Sequence, residues 1–243
     1  ARDSKRIDFE TWIDWKETHK MLKTRFYTII VSRHATYDIP FGNIERSCYA
    51  NNSYDEARFE VSAHTWMDMS QGDYGISLLN DCKYGHQAKE NMIGLTLLRS
   101  PKNPDPQSDM EDHSFTYSLY PHSGDWRKAE THREAIELND PIDVMPAENQ
   151  KGKMPAHHTF MKMDAPGVTL EAIKKAEDSD DLIVRIVERH GSKTKGEIFF
   201  DRLLKKVAEC DLMEQNNHPC DYGEEKLSFT ISPYEIKTFR ITL

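Results

Sequence analysis

The run Leu78-Leu79-Asn80-Asp81-Cys82-Lys83-Tyr84-Gly85-His86 holds the most unusual mix of chemically useful side chains in this sequence. An apolar stretch gives way to an amide, a carboxylate, an ammonium and a phenol, with Gly85 free to turn the backbone. Amides and carboxylates accept protons from hydroxyl groups, and an aromatic face can cover a sugar ring. Asp81, Lys83 and Tyr84 are therefore candidate contacts for a polyhydroxylated ligand. The same run also suits an Asx-turn, in which Asn80 and Asp81 bond their own backbone. Arg99 closes a second apolar stretch, Leu97-Leu98-Arg99-Ser100-Pro101. A guanidinium there can grip a carboxylate of a partner domain, or it can be an ordinary exposed strand end. Trp12, Trp66 and Trp126 suit stacking on sugars if they reach the surface, and core filling if they do not.

Other chemistries find less support. The sequence has no Ser nucleophile elbow, P-loop, G-x-G-x-x-G or H-E-x-x-H. Eleven histidines invite a metal, but His157-His158 falls in a polar stretch, and His113 with Asp109 and Asp112 lacks the spacing of a rigid zinc site. These read as solvated loop histidines. The carboxylate clusters Asp178, Asp180, Asp181 and Asp105, Asp109, Asp112 read as a solvated hairpin tip and a proline-rich loop. A glycosidase pair would have to flank one scissile bond at a set separation, which spacing along the chain does not show.

The elements that position these residues alternate with period two. Ile7, Phe9, Thr11, Ile13 and Trp15 share one parity, the mark of a half-buried strand. Further strands are predicted at Leu22–Val31, Thr36–Phe41, Arg58–Ala63, Gly75–Leu79, Ile93–Leu98 and Ser114–Tyr120. Turn signals such as Phe41-Gly42-Asn43 and Gln71-Gly72-Asp73 separate them. One helix is predicted from an Asp125 cap through Trp126, Ala129, Arg133 and Ile136, stopping at Asn139-Asp140-Pro141. The polar, proline-bounded stretch from Met145 to Pro155 reads as a linker or long loop. Strands resume at Val168–Ala176, Leu182–Glu188, Glu209–Met213, Leu227–Ile231 and Ile236–Leu243, while Phe199, Phe200, Leu203, Leu204 and Val207 also fit a helix face. The pattern predicts a mainly all-β, antiparallel fold.

Composition bounds the rest. The 243 residues carry 32 basic and 41 acidic side chains, a net charge of −9, and a surface of that sign repels phosphate backbones, which argues against nucleic-acid binding. No stretch approaches the roughly 18 apolar residues of a membrane-spanning helix. Cys48, Cys82, Cys210 and Cys220 form no C-x-x-C pair, and isolated thiols in a chain of this length fit a reducing cytoplasm. The start, Ala1-Arg2-Asp3-Ser4-Lys5-Arg6, has no apolar signal core and reads as a point partway along a longer protein.

The ordered motifs resemble one family. Asp14-Trp15-Lys16-Glu17-Thr18-His19-Lys20-Met21-Leu22-Lys23 resembles the D-W-x-E-x-H-K-x-L-K signature of the α-mannosidases of glycoside hydrolase family 38. In the family's order follow Phe59-Glu60-Val61, Trp66-Met67-Asp68, Leu78 to Gly85, Leu97-Leu98-Arg99-Ser100-Pro101 and Tyr120-Pro121-His122. Glu188 to His190-Gly191, Cys210-Asp211-Leu212 and Ser232-Pro233-Tyr234-Glu235-Ile236 continue the series. The resemblance covers nearly the whole chain and is nearest to the cytosolic-type branch.

What the resemblance implies is a large antiparallel supersandwich of the galactose-mutarotase type over 1–145, a linker over 146–156 and a smaller β-sandwich over 157–243. It implies the non-catalytic C-terminal part of a zinc-dependent, retaining α-mannosidase of glycans or oligosaccharides, stabilising the catalytic barrel and shaping the cleft. The family's zinc ligands and carboxylate nucleophile lie on an N-terminal barrel whose H-x-H-x-D-x-x-W-like motif is not in this sequence. No catalytic residue, metal ligand or cofactor is thus expected within these residues, and zinc is expected in the full-length enzyme. The implied partners are the enzyme's own barrel and helical bundle, mannose-containing glycans and, in a homo-oligomer, further copies. Arg99 matches the family's strand-end arginine and is the first candidate for the cleft rim, with Asp81, Lys83 and Tyr84 at the rim or at a domain interface. An independent carbohydrate-binding module and a sugar mutarotase are the alternatives, the latter on fold analogy alone.

Overall fold

A computed structural model describes residues 4–148 and 151–243. The chain start at Ala1, Arg2 and Asp3 and the linker residues Asn149 and Gln150 lie outside the described residues. The chain divides into two compact units, Ala1–Ile142 and Asp143–Leu243.

The first unit runs β1 (Ile7–Asp14), β2 (Met21–Tyr27), β3 (His34–Ile39), β4 (Gly42–Ser47), α1 (Ser53–Ala57), β5 (Val61–Ser62), β6 (Trp66–Ser70), β7 (Tyr74–Asn80), β8 (Gly85–Lys89), β9 (Met92–Arg99), β10 (Asp112–Ser123) and α2 (Thr131–Asn139). Six strands form one sheet in the order β1-β10-β7-β6-β3-β4, and four form another in the order β2-β9-β8-β5. All pairings are antiparallel. Tyr37, Met67, Met69, Leu78 and Phe115 of the larger sheet meet Ile93, Leu95 and Leu97 of the smaller in one core. That makes a sandwich whose inner faces are apolar because alternate residues of each strand are. On the outer face of the larger sheet, Trp66, Leu79 and Tyr120 pack with Trp126 and with Ala135 of α2.

The second unit runs β11 (Met161–Asp164), β12 (Val168–Lys175), β13 (Leu182–Glu188), β14 (Thr194–Phe200), β15 (Lys206–Cys210), β16 (His218–Pro219), β17 (Lys226–Ile231) and β18 (Ile236–Thr242). A three-stranded sheet, β11-β14-β17, faces a five-stranded one, β12-β13-β18-β15-β16. Val184, Ile186, Ile198, Leu227, Ile231, Phe239 and Ile241 fill the space between. The mainly all-β, antiparallel fold predicted above is the observed one, and among the described residues no helix is long and apolar enough to cross a membrane.

Several local expectations are corrected. The helix begins at Thr131 rather than at Asp125, which instead accepts the N–H of Lys128 in a preceding turn at 3.0 Å. The predicted strand Arg58–Ala63 shrinks to Val61–Ser62, because Asn52 caps α1 through the N–H groups of Tyr54 and Asp55 and the Arg58 N–H closes onto Asp55. Phe199 and Phe200 end β14, where Phe200 faces the core and Phe199 is partly exposed, a period-two split that excludes a helix face. Trp66 and Trp126 are both 2% exposed with ring centroids 4.9 Å apart, so they are core and not sugar platforms.

Candidate functional site

The Asn80–Gly85 run carries the chain from the larger sheet of the first unit to the smaller. Asn80 is fully buried and makes bonds in every direction. Its Nδ2 donates to the His64 carbonyl at 3.1 Å, its Oδ1 accepts the Lys83 N–H at 2.6 Å, and its own carbonyl accepts from Asn139 Nδ2 at 3.0 Å. This is the side-chain-to-backbone turn left open above, and it removes Asn80 from ligand contact. Asp81 extends the β7 pairing, donating its N–H to the Thr116 carbonyl and accepting the Thr116 N–H on Oδ2 at 2.7 Å. Lys83 lays its ammonium over the Phe115 ring at 4.3 Å. Tyr84 is 58% exposed beside His64.

His86 locks the far side of this turn. Its Nδ1–H donates to the Tyr84 carbonyl at 3.2 Å, which leaves Nε2 as the acceptor facing Asn80 Nδ2 at 3.5 Å. Burial, with Arg46 nearby, pushes its pKa down to about 4, so the ring is neutral at physiological pH. The Cys82 thiol is pushed up to about 11 by desolvation and the hydrogen bond with Asp81, which makes it a poor nucleophile at neutral pH.

Arg99 ends β9 opposite Met21 and is exposed. It stands on a chain segment anchored by long-range bonds. Ser100 is buried, its Oγ accepts the Trp15 indole N–H at 2.7 Å, and its backbone exchanges hydrogen bonds with His19 and Lys20. The sequence motifs around Trp15 and Arg99 are thus one structural unit. Nearby, Glu60 accepts from Thr96 Oγ1 and pairs with Lys23 at 2.6 Å. Desolvation would raise the Glu60 pKa, but these bonds and the charges of Lys23 and Arg99 hold it below the usual carboxylate range. Among the described residues no hydrogen bond or ion pair joins Arg99 to Asp81, Lys83 or Tyr84, so the four candidates do not form one bonded cluster.

Sequence reasoning missed a buried polar cluster on the larger sheet. His122 Nε2 lies 2.8 Å from Asp68 Oδ2 and 3.2 Å from Ser77 Oγ, which also donates to Asp68 at 2.8 Å and meets Thr131 Oγ1 at 2.9 Å. Ser70 donates to the other Asp68 oxygen. The residue types are those of a hydrolase triad, but serine and aspartate share one ring nitrogen rather than bracketing the ring. Asp68, Ser77, His122 and Thr131 are buried and Ser70 is half-buried, so the cluster fastens strands. The missed signal was the set of polar residues at strand positions, Asp68, Ser77 and His122, where alternation asks for packing.

The remaining candidates are tied up locally. His113 faces the Asp109 carbonyl at 2.9 Å, and His158 pairs with Asp201 at 2.7 Å. Asp105 turns its own loop through the Gln107 N–H. Asp178, Asp180 and Asp181 cap the β12–β13 hairpin, where Arg240 and Lys175 pair with them. In the second unit a groove of about 760 Å³ opens over Phe229 and Phe239, and its acids Glu209 and Glu197 already hold Lys237 and Lys226.

Comparison with known proteins accounts for this organisation. Residues 1–107 match the glycosyl hydrolases family 38 C-terminal domain, and residues 167–239 match the glycosyl hydrolases family 38 C-terminal beta sandwich domain. The chain is 41% identical over 244 residues to alpha-mannosidase G of Dictyostelium discoideum, covering 98% of this chain and 22% of that protein. It is 38% identical over 245 residues to alpha-mannosidase 2C1 of Mus musculus, covering 98% and 23%. It therefore spans less than a quarter of these relatives' length. Its fold is that of an alpha-mannosidase crystal structure from Enterococcus faecalis V583, with a TM-score of 0.83 at 17% identity, over 99% of this chain and 28% of that one. With both family models matched in order and homologous α-mannosidases aligned along nearly all of its length, the chain belongs to glycosyl hydrolase family 38, as its C-terminal β-rich region.

Proposed function

We propose that this chain is the non-catalytic C-terminal part of a zinc-dependent, retaining α-mannosidase that acts on mannose-containing glycans or oligosaccharides in the cytoplasm. The observation that carries the reading is the pairing of two C-terminal-domain matches with α-mannosidase relatives more than four times as long. In this reading Arg99 projects from the β2–β9 sheet toward the cleft rim, where a guanidinium would orient a catalytic-domain carboxylate or sugar hydroxyls. Asp81, Lys83 and Tyr84 serve as interface residues. The sheet β2-β9-β8-β5 and the strand exit beyond it stabilise the barrel by docking. Tyr27, Ile29 and Val31, exposed by 76%, 90% and 78%, support that role because apolar side chains in such density mark an interaction surface.

The histidine–carboxylate neighbours read from this sequence do not fit zinc. His113 is engaged by a backbone carbonyl and His158 by a single carboxylate, and among the described residues neither belongs to a group of three ligands. In this reading the metal and the nucleophile belong to the remainder of the enzyme. Four free cysteines agree with a reducing compartment.

The test is to assay an aryl α-mannoside with the 243-residue chain and with the full-length gene product. Hydrolysis by the longer protein alone is the expected result. Turnover by the chain in preparations free of longer species would overturn the reading.

A further inference from the structure

Of the chain's four tryptophans, Trp66 and Trp126 are core and Trp15 is half-buried on Ser100. Trp12 alone stands in solvent, 68% exposed at the middle of β1. Every residue of β1 is paired with β10, so the indole is presented from a fixed backbone and not from a loop. Alternation sends Phe9 and Ile13 inward, Phe9 stacking on Tyr117 at 4.9 Å, and leaves Glu10, Trp12 and Asp14 on the outer face. The register sets Ser114 opposite Trp12, Thr116 opposite Glu10 and Asp112 opposite Asp14. One strand further, Asp81 is bonded to Thr116. With strands about 4.8 Å apart, the patch runs two strand spacings from β1 to its border at the interface residue Asp81, room for two linked pyranose rings.

We propose that this patch is a glycan-binding platform separate from the Arg99 rim. The C–H face of a pyranose stacks on Trp12, its hydroxyls donate to the Glu10 and Asp14 carboxylates, and the Ser114 and Thr116 hydroxyls bond it from the next strand. The surroundings select this occupant. Among the described residues Glu10, Asp14 and Asp112 are opposed by one ion pair, Lys16 on Asp14 at 2.7 Å, so phosphorylated or carboxylated ligands are repelled. The core of a protein interface depletes charge around its aromatic anchor, whereas every cross-strand or same-face neighbour of Trp12 named above is polar. The choice of mannose as the sugar rests on the function proposed above. The pyranose class rests on the patch itself.

The experiment titrates the full-length protein with α-mannobiose and, in parallel, cellobiose, following acrylamide quenching of tryptophan fluorescence and saturation-transfer NMR. The expected result is that α-mannobiose shields one accessible tryptophan, that Trp12→Ala weakens binding at least tenfold, and that Trp12→Tyr recovers part of it. Unchanged affinity in Trp12→Ala, no binding of either sugar, or a Trp12 already inaccessible to quencher in the sugar-free protein each overturns the platform. Hydrolysis of an aryl α-mannoside by the wild-type protein reads the other proposal separately. Cleavage without platform binding removes only the platform, while binding of cellobiose with no mannoside cleavage leaves the platform and removes the mannosidase reading.

Discussion

The Glu188 carboxylate accepts the backbone N–H of Tyr234, 46 residues further along the chain, at 2.9 Å. The same side chain, fully buried, also accepts the N–H groups of His190 at 2.9 Å and Gly191 at 2.8 Å. One carboxylate thus closes the turn after β13 and ties it to the turn before β18. Gly191 has φ of +73°, and a Cβ on it would lie 2.5 Å from the Tyr234 hydroxyl, so a glycine is required there. Glu188→Ala leaves three backbone donors without their acceptor, a loss on the order of 3 kcal/mol or more. Urea unfolding should show the transition of the second unit moved to lower denaturant. Glu188→Gln, which keeps the shape but offers only one acceptor oxygen, should fall between.

Acid should loosen the turn that carries Asp81, Lys83 and Tyr84. The unfolded His86 imidazole takes its proton near pH 6.5, whereas the folded ring resists it until about 4. Between those values the unfolded state binds more protons, so stability is full above pH 6.5 and falls as the pH drops toward 4. The loss through this one group is about 3 kcal/mol. Unfolding free energies measured at pH 7, 5.5 and 4.5 should show this slope, reduced in His86→Gln. An identical slope in that variant would assign the acid sensitivity to other groups.

The Asp68–His122 pair should prove structural. Asp68→Asn disturbs bonds to His122, Ser77 and Ser70 in a buried site, and a destabilisation of about 3 kcal/mol is expected. Gly75→Ala should act on the same cluster by crowding, because a Cβ there would lie 2.3 Å from His122 Cε1 and from Ser70 Oγ. Overpacking of that kind costs about 1–3 kcal/mol. Thermal melts of both variants test this. Ser77 should remain inert toward an active-site serine reagent.

Arg99→Ala should leave the stability of the chain within about 0.5 kcal/mol, since the side chain is exposed and the segment is held by Ser100. In the full-length enzyme the same change should lower kcat/KM for a mannoside by at least tenfold, and Arg99→Lys should rescue little because it lacks the planar fork. Ser100→Ala, which removes the Trp15 bond, should lower stability by about 1 kcal/mol. A kcat/KM unmoved by Arg99→Ala would place this residue away from the cleft.

Alternation in Ile7–Trp15, the turn signals and the ordered motifs determined a mainly antiparallel β chain and its family, because strand periodicity and motif order are properties of neighbours in sequence. The same local signal misjudged Arg58–Ala63, where an Asn52-capped helical turn competes, and left Phe199 and Phe200 between helix and strand. Only the tertiary structure decided the fate of like residues. Trp12 and Trp66 are the same side chain in strands, yet one lies in solvent and the other under α2, since edge position and helix cover depend on which strands pair. Asn80 offered a ligand contact or a turn, and partners at His64, Lys83 and Asn139 settled it as a buried node. Trp15 and Ser100 are 85 residues apart, and Glu188 and Tyr234 are 46 apart. Bonds across such separations form only when folding closes the loops between them, so no window of sequence contains both partners.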